Sequence, residues 1–325
     1  MERDYNISII RIFSMLSIVL CHIFQMKNMG IAFYLNVAVQ VFLFMSGFLY
    51  GKKDIDDSWL WLKRQIKKII IPYYIYIIIA LIMYVLFARQ FLTIKNVLSM
   101  FLCQQLILSF PQGLNHLWFI PVILICYLIT PFLNKILKNN NQKQKNLVLI
   151  IIIFYIEVMF YQTSIDVRIC NMICYILGYA ISSETNKKNQ NNILLLIYIL
   201  TIITNFTKIF VVPDSGNEII DFIINLFIKN SHILLGSTIF IIFYKTFGII
   251  NISPKKIILK VINILDKYCM YVYITHHVFI AKPLSLINLT NSIFLNLLII
   301  VICIVGSSWL LEKIVQRVRK EIKYI

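Results

Sequence analysis

The chain has 325 residues, of which 60% are apolar and only 14% carry a charge. A soluble domain averages about 25% charged residues, so this composition excludes an ordinary soluble enzyme. The net charge of +17 would suggest a nucleic-acid partner in a soluble protein. In a membrane protein the same excess arises because lysine and arginine gather on the cytosolic side. We therefore expect membrane lipids, and no nucleic acid, as partners.

Apolar runs of about 18–22 residues recur along the chain, and each can cross ~30 Å of hydrocarbon as a helix. Backbone amides in lipid must be satisfied within their own segment, which favours helices for every run. We predict an all-α, polytopic transmembrane helix bundle, a single domain over 1–325, with a cytosolic N-terminus. The ten predicted spans are 7–26, 31–50, 67–88, 115–137, 147–162, 169–183, 193–212, 226–245, 261–281 and 290–311.

Charge and cysteine patterns agree with a multi-pass protein of the cell membrane. With ten spans and the N-terminus inside, most of the 31 basic residues fall in cytosolic segments. Residues 89–114 can either cross the membrane or lie at its surface, and a crossing would change the later orientations. The seven cysteines include no Cys-x-x-Cys pair, so we predict neither a zinc site nor a disulfide framework, and no metal requirement.

Ionisable side chains inside spans are costly and therefore mark candidate sites. Arg11 and His22 are eleven residues apart, which places them on one helix face with an axial rise of ~16 Å. An arginine near the cytosolic surface suits a phosphate, and a buried neutral imidazole suits proton removal from a hydroxyl. The alternative is a snorkelling arginine and a histidine hydrogen-bonded within the bundle.

Three further clusters have both a functional and a structural interpretation. Arg64 and Lys68 share a helix face and are either a phosphate clamp or a cytosolic topology signal. His116 and Trp118 are either site residues or an interfacial anchor. A third cluster lies deep in the ninth predicted span and consists of Tyr273, His276 and His277. The adjacent histidines point about 100° apart, which disfavours joint chelation of one metal.

These elements together resemble the acyltransferase-3 family of integral membrane acyltransferases. Members share a first span with arginine, ten residues and then histidine, followed by an aromatic-rich Ser-Gly-Phe segment and a basic stretch into Ile-Pro-Tyr. A His-Leu-Trp-Phe element and a late Tyr-x-x-His complete the order. The matching positions are Arg11 and His22, Phe42–Leu49, Arg64–Tyr73, His116–Phe119 and Tyr273–His276. The family's basic motif is often Arg-x-x-Arg, whereas this chain has Arg64, Lys67 and Lys68.

The resemblance implies a fold, a donor and a reaction. The donor would be acetyl-CoA or another acyl-CoA, with its phosphates held by Arg11, Arg64 and Lys68. His22 would act as general base or carry the acyl group transiently, and Arg11 would complete the catalytic pair. His116, Trp118, Tyr273 and His276 would support the site or the acceptor. The reaction would be O-acetylation of a cell-envelope polysaccharide, another glycan or a small-molecule acceptor.

Two other functions fit the same residues. Intramembrane arginine, histidine and glutamate also suit the substrate pathway of a transporter or flippase of a small molecule or lipid-linked sugar. The chain shows no repeated halves or paired glycine- and proline-broken spans, which disfavours that function. A non-catalytic membrane partner is the third possibility. Ser46 is assigned to close helix packing beside Gly47 rather than to nucleophilic catalysis.

Overall fold

The computed structural model describes residues 4–106, 110–139, 149–150, 152–153, 156, 167–211, 216–250 and 256–322. Within them the helices are Tyr5–Met26 (α1), Ala32–Leu35 (α2), Ala38–Gly51 (α3), Ser58–Phe87 (α4), Ile94–Phe101 (α5), Phe119–Asn139 (α6), Met172–Ser183 (α7), Lys187–Phe210 (α8), Glu218–Ile250 (α9), Lys256–Thr275 (α10), His277–Ile280 (α11) and Ile293–Ile322 (α12). Three 3-10 turns lie at Arg89–Phe91, Gln112–Trp118 and Val167–Asn171. These ranges contain no β-strand, which confirms the all-α prediction.

Seven helices in the described ranges are long and apolar enough to cross a membrane. They are Tyr5–Met26, Ala32–Gly51, Ser58–Phe87, Gly113–Leu137, Lys187–Phe210, Ile219–Gly248 and Ile293–Glu321. Each overlaps one of the ten predicted spans. α7, with 12 residues, and α10, with 20, are helical but are not among the seven. Most of the predicted span over 147–162, with Glu157, lies outside the described residues.

The segment over 89–114 contains one described α-helix, α5, of eight residues. A crossing needs about 20 helical residues, so this helix is too short to span the bilayer. The third span also differs from the prediction, because α4 begins at Ser58 and continues through Pro72. Asp57 caps its start by accepting a hydrogen bond from the Leu60 amide at 2.9 Å. The basic stretch before Pro72 is therefore part of the spanning helix itself.

The chain divides into two compact units. The first comprises Met1–Asn36, Asp57–Tyr127 and Ser253–Ile325. Here α1 packs on α10, which also packs on α12, and α12 packs on α4. Residues 11 and 22 of α1 lie beside residues 266 and 276 of the α10 segment, so the two helices run parallel. The parallel pairing agrees with the prediction that the first and ninth spans cross the membrane in the same direction.

The second unit comprises Val37–Asp56 and Leu128–Ile252. Its closest helix pair is α3 with α7, where glycines let the two backbones touch. A Cβ atom on Gly47 would lie 1.9 Å from the Tyr175 carbonyl oxygen, and one on Gly178 would lie 2.2 Å from the Phe44 carbonyl oxygen. Small residues allow such approach in membrane helix pairs. Gly47 therefore packs closely against α7, and the packing role of Ser46 itself stays a prediction.

Candidate active site

Four of the five histidines in the sequence meet in the first unit, from three separate segments. The histidine cluster consists of His22 on α1, His116 on the 3-10 turn before α6, and His276 and His277 at the break between α10 and α11. The ring centroids of His22 and His277 are 4.4 Å apart, and those of His22 and His276 are 5.3 Å apart. His116 lies 4.9 Å from His276 and 4.8 Å from His277.

Backbone carbonyls set the tautomers of three rings, because a carbonyl oxygen only accepts. His116 donates from Nε2 to the Ile274 oxygen at 3.0 Å. His276 donates from Nδ1 to the Tyr273 oxygen at 2.7 Å, with the Val272 oxygen at 3.1 Å. His277 donates from Nδ1 to the Gly113 oxygen at 3.1 Å. In each neutral ring the other nitrogen carries a lone pair.

His22 differs from its neighbours in exposure and in its partner. Its Nδ1 lies 2.9 Å from the side-chain oxygen of Gln25, one helical turn further along α1. When that oxygen accepts the Nδ1 proton, Nε2 is left with the lone pair of a base. His22 is half-buried, whereas His116, His276 and His277 are 3%, 0% and 8% exposed. His22 is therefore the most exposed ring of the cluster.

Two contacts hold the turn that carries His116. The Tyr273 hydroxyl donates to the His116 carbonyl oxygen, which ties α10 to the 3-10 turn. Gly113, whose carbonyl accepts from His277, has no room for a side chain, because a Cβ would lie 2.6 Å from the Tyr84 hydroxyl oxygen. The predicted support residues His116, Tyr273 and His276 are thus brought together in one place.

Arg11 has an acidic partner. Its Nη1 donates to Oδ1 of Asp266 on α10 at 2.6 Å, and the Ser8 hydroxyl donates to Oδ2 of the same carboxylate at 2.8 Å. The Asp266 side chain is 5% exposed and that of Arg11 is 30% exposed. The guanidinium carries five N–H donors, so donors remain for a phosphate. The pair lies ~16 Å along the helix axis from His22.

We expect Asp266→Ala to destabilise the protein. The substitution leaves the Arg11 guanidinium without its carboxylate and the Ser8 hydroxyl without its acceptor. Because the arginine is partly exposed, the expected loss is about 1–3 kcal/mol. Thermal unfolding in detergent measures the effect, with Asp56→Ala, at an exposed position, as the matched control. Equal melting temperatures for the two variants would contradict the role of this contact.

The remaining predicted residues lie on neighbouring parts of the first unit. Trp118 is half-buried and ends the turn that carries His116. Arg64 and Lys68 are exposed on α4, where Lys68 donates to the Gln65 side chain at 3.1 Å. The Lys68 carbonyl accepts from Arg319 of α12 at 3.1 Å. A phosphate clamp shared with Arg11 stays a prediction.

Three residues of the site were missed or undervalued in the sequence. Asp266 was available as a carboxylate inside the apolar ninth span, ten residues before His276 and so at nearly the spacing of Arg11 and His22. His277 was noted only as a neighbour of His276, and Gln25 is an ordinary polar residue near a helix end. The described residues contain no group of three or more His, Cys, Asp or Glu placed to hold a metal ion.

A comparison with protein families identifies the family of the chain. The model of the acyltransferase-3 family, described as an acyltransferase domain, matches residues 4–313. The chain belongs to the acyltransferase-3 family. No curated protein and no solved structure matches it. The protein is therefore a membrane acyltransferase, and the match includes Arg11, Asp266 and the whole histidine cluster.

The acyltransferase brings together sequence elements that are far apart along the chain. The His116 element and the Tyr273–His276 element, far apart in sequence, meet around the first-span histidine. Arg11 and His22 both face the α10 segment, as their spacing predicts for two residues on one helix face. The Ser-Gly-Phe segment belongs to the second unit, where it packs against α7.

Proposed function

We propose that this acyltransferase moves an acetyl group from acetyl-CoA, or an acyl group from another acyl-CoA, to a hydroxyl of a cell-envelope glycan or related acceptor. The site of action is the cell membrane. The observation that carries the proposal is the setting of His22. Its half-buried imidazole is oriented by Gln25 and lies against a cluster of three buried histidine rings. A hydroxyl needs such a base, because its own pKa is far above neutral.

His22 is assigned as the general base. Its Nε2 takes the proton of the acceptor hydroxyl as the oxygen attacks the thioester carbonyl carbon. The new C–O bond forms, the C–S bond breaks, and the thiolate of CoA leaves with a proton returned by the imidazolium. Transient acylation of His22 is the covalent alternative, in which the imidazole nitrogen attacks the thioester first.

The phosphate-bearing end of the donor is assigned to the Arg11 end of the site. The free donors of Arg11, together with Arg64 and Lys68, are proposed to bind its phosphates. The pantetheine arm then reaches along α1 toward His22, over the ~16 Å rise between residues 11 and 22. Asp266 keeps the guanidinium of Arg11 in place by accepting its Nη1–H.

Donor dependence tests the function against transport. Purified protein in lipid vesicles is given a polyol acceptor with and without acetyl-CoA. We expect loss of the thioester only when protein and acceptor are both present. Movement of the unmodified acceptor into vesicles without any thioester, and no thioester loss, would replace the acyltransferase proposal with transport. A protein-free vesicle preparation corrects for spontaneous hydrolysis.

A further inference from the structure

Two buried ring nitrogens of the histidine cluster are hydrogen-bond acceptors without a donor. Among the described residues, His116 Nδ1 and His276 Nε2 are buried and have no hydrogen-bond partner. Both rings already donate from their other nitrogen to a backbone carbonyl, so these two atoms carry lone pairs. A buried acceptor without a hydrogen bond is unfavourable. One additional proton would therefore supply the donor that these two acceptors lack.

If one of these two nitrogens took up a proton, it would become an N–H donor close to the lone pair of the other ring. The rings of His116 and His276 are 4.9 Å apart between centroids, and ring nitrogens lie over 1 Å from the centroid, so two nitrogens directed at each other would be within hydrogen-bond range. A second proton would place two like charges about 5 Å apart in a dry environment, where they repel strongly. The geometry suits storage of a single proton.

His22 is the most accessible entry for a proton into the cluster. His22 is half-buried, whereas the other three rings are nearly inaccessible. Of the ring-to-ring distances from His22, the shortest is the 4.4 Å to His277, whose Nδ1 is occupied by the Gly113 carbonyl. His277 Nε2 thus carries a lone pair in the ring that lies 4.4 Å from the proposed base. Among the described residues, the titratable side chains in contact with the four rings are the other histidines of the cluster and Tyr273.

We propose that His277 is a positioning residue that shares the proton removed by His22 and passes it into the buried rings. The inference rests on the proposed function. The acceptor O–H bond breaks as the His22 Nε2–H bond forms, and that proton then moves to His277 Nε2. When the thiolate leaves, the proton returns through His22 and forms the S–H bond of CoA. The cluster ends the cycle neutral, so no external acid or base is consumed.

One substitution separates the relay from the fold. In His277→Asn the side-chain amide nitrogen can still donate to the Gly113 carbonyl, but the Nε2 lone pair is removed. His232→Gln is the matched control, because His232 is the fifth histidine of the chain and lies in the second unit. Melting temperatures in detergent identify any variant that fails to fold.

Single-turnover acyl transfer in mixtures of H₂O and D₂O tests the inference. We expect His277→Asn to lower the transfer rate about 100-fold with unchanged KM for the donor. The dependence of the rate on deuterium fraction should be curved in the wild type, where two protons move, and linear in His277→Asn. The His232→Gln control should match the wild type.

Three results would overturn the inference. A folded His277→Asn that transfers at the wild-type rate shows that no relay is needed. A linear deuterium dependence in the wild type shows that one proton moves, and a lowered rate with an unchanged curve assigns His277 a structural role. A wild type that consumes no thioester, with any acceptor, would instead remove the proposed function and this inference with it.

Discussion

Replacing His22 with alanine should reduce acyl transfer by about 10²–10⁴-fold, because the acceptor hydroxyl loses its base. Alanine favours helix formation, so α1 should remain intact. The half-buried His22 side chain is reachable from outside the cluster, whereas the other three rings are at most 8% exposed. Those rings therefore cannot take over contact with the substrate.

Donor binding separates loss of the base from loss of the site. The assigned phosphate contacts lie ~16 Å from residue 22 along the helix, so His22→Ala should bind acetyl-CoA with a dissociation constant close to that of the wild type. His232→Ala is the matched control and should retain full turnover. Steady-state kinetics measures turnover, and equilibrium binding measures the dissociation constant for acetyl-CoA. Wild-type turnover in a folded His22→Ala protein would exclude the assignment.

Gly47→Ala should abolish stable folding of the second unit. The added Cβ would lie 1.9 Å from the Tyr175 carbonyl oxygen and 2.8 Å from its carbon. These are backbone atoms of a packed helix, so the α3–α7 pair must separate to relieve the clash. Overpacking of this severity is expected to cost at least about 3 kcal/mol.

Gly306→Ala supplies the control for Gly47→Ala. Gly306 lies in the long helix α12. Apart from its chain neighbours and the adjoining backbone of the same helix, no atom would lie within 4 Å of the added Cβ. Alanine favours a helix by about 1 kcal/mol over glycine, so this variant should be as stable as the wild type or more so. Size-exclusion profiles and thermal unfolding in detergent compare the two. A stable Gly47→Ala would show that α3 and α7 are not tightly packed there.

Composition and helical spacing predicted the parts of this protein that depend on local sequence. Long apolar runs predicted seven helices that the structure places as candidate spans, because lipid leaves few alternatives to a helix. The spacing of Arg11 and His22 predicted a shared face because it depends only on helix geometry. The family resemblance singled out His22, His116 and His276, and their roles stay a prediction.

Composition and helical spacing could not predict contacts between segments that are far apart in the sequence. Nothing local connects Asp266 with Arg11 or Gly113 with His277, since each pair is separated by more than 150 residues. The start of α4 was missed for a different reason. Its first turns are polar and basic, and hydropathy alone marks only the part of a helix that lies in hydrocarbon.

The transfer of a labelled acyl group is the most direct test of the central claim. Wild-type protein and His22→Ala are placed in lipid vesicles with acetyl-labelled acetyl-CoA and a polyol acceptor, and label on donor, protein and acceptor is counted over time. We predict that wild type moves label from donor to acceptor in amounts equal to the thioester lost, and that His22→Ala moves almost none. Label that remains on the donor with wild type, or equal transfer by the two proteins, would contradict the account.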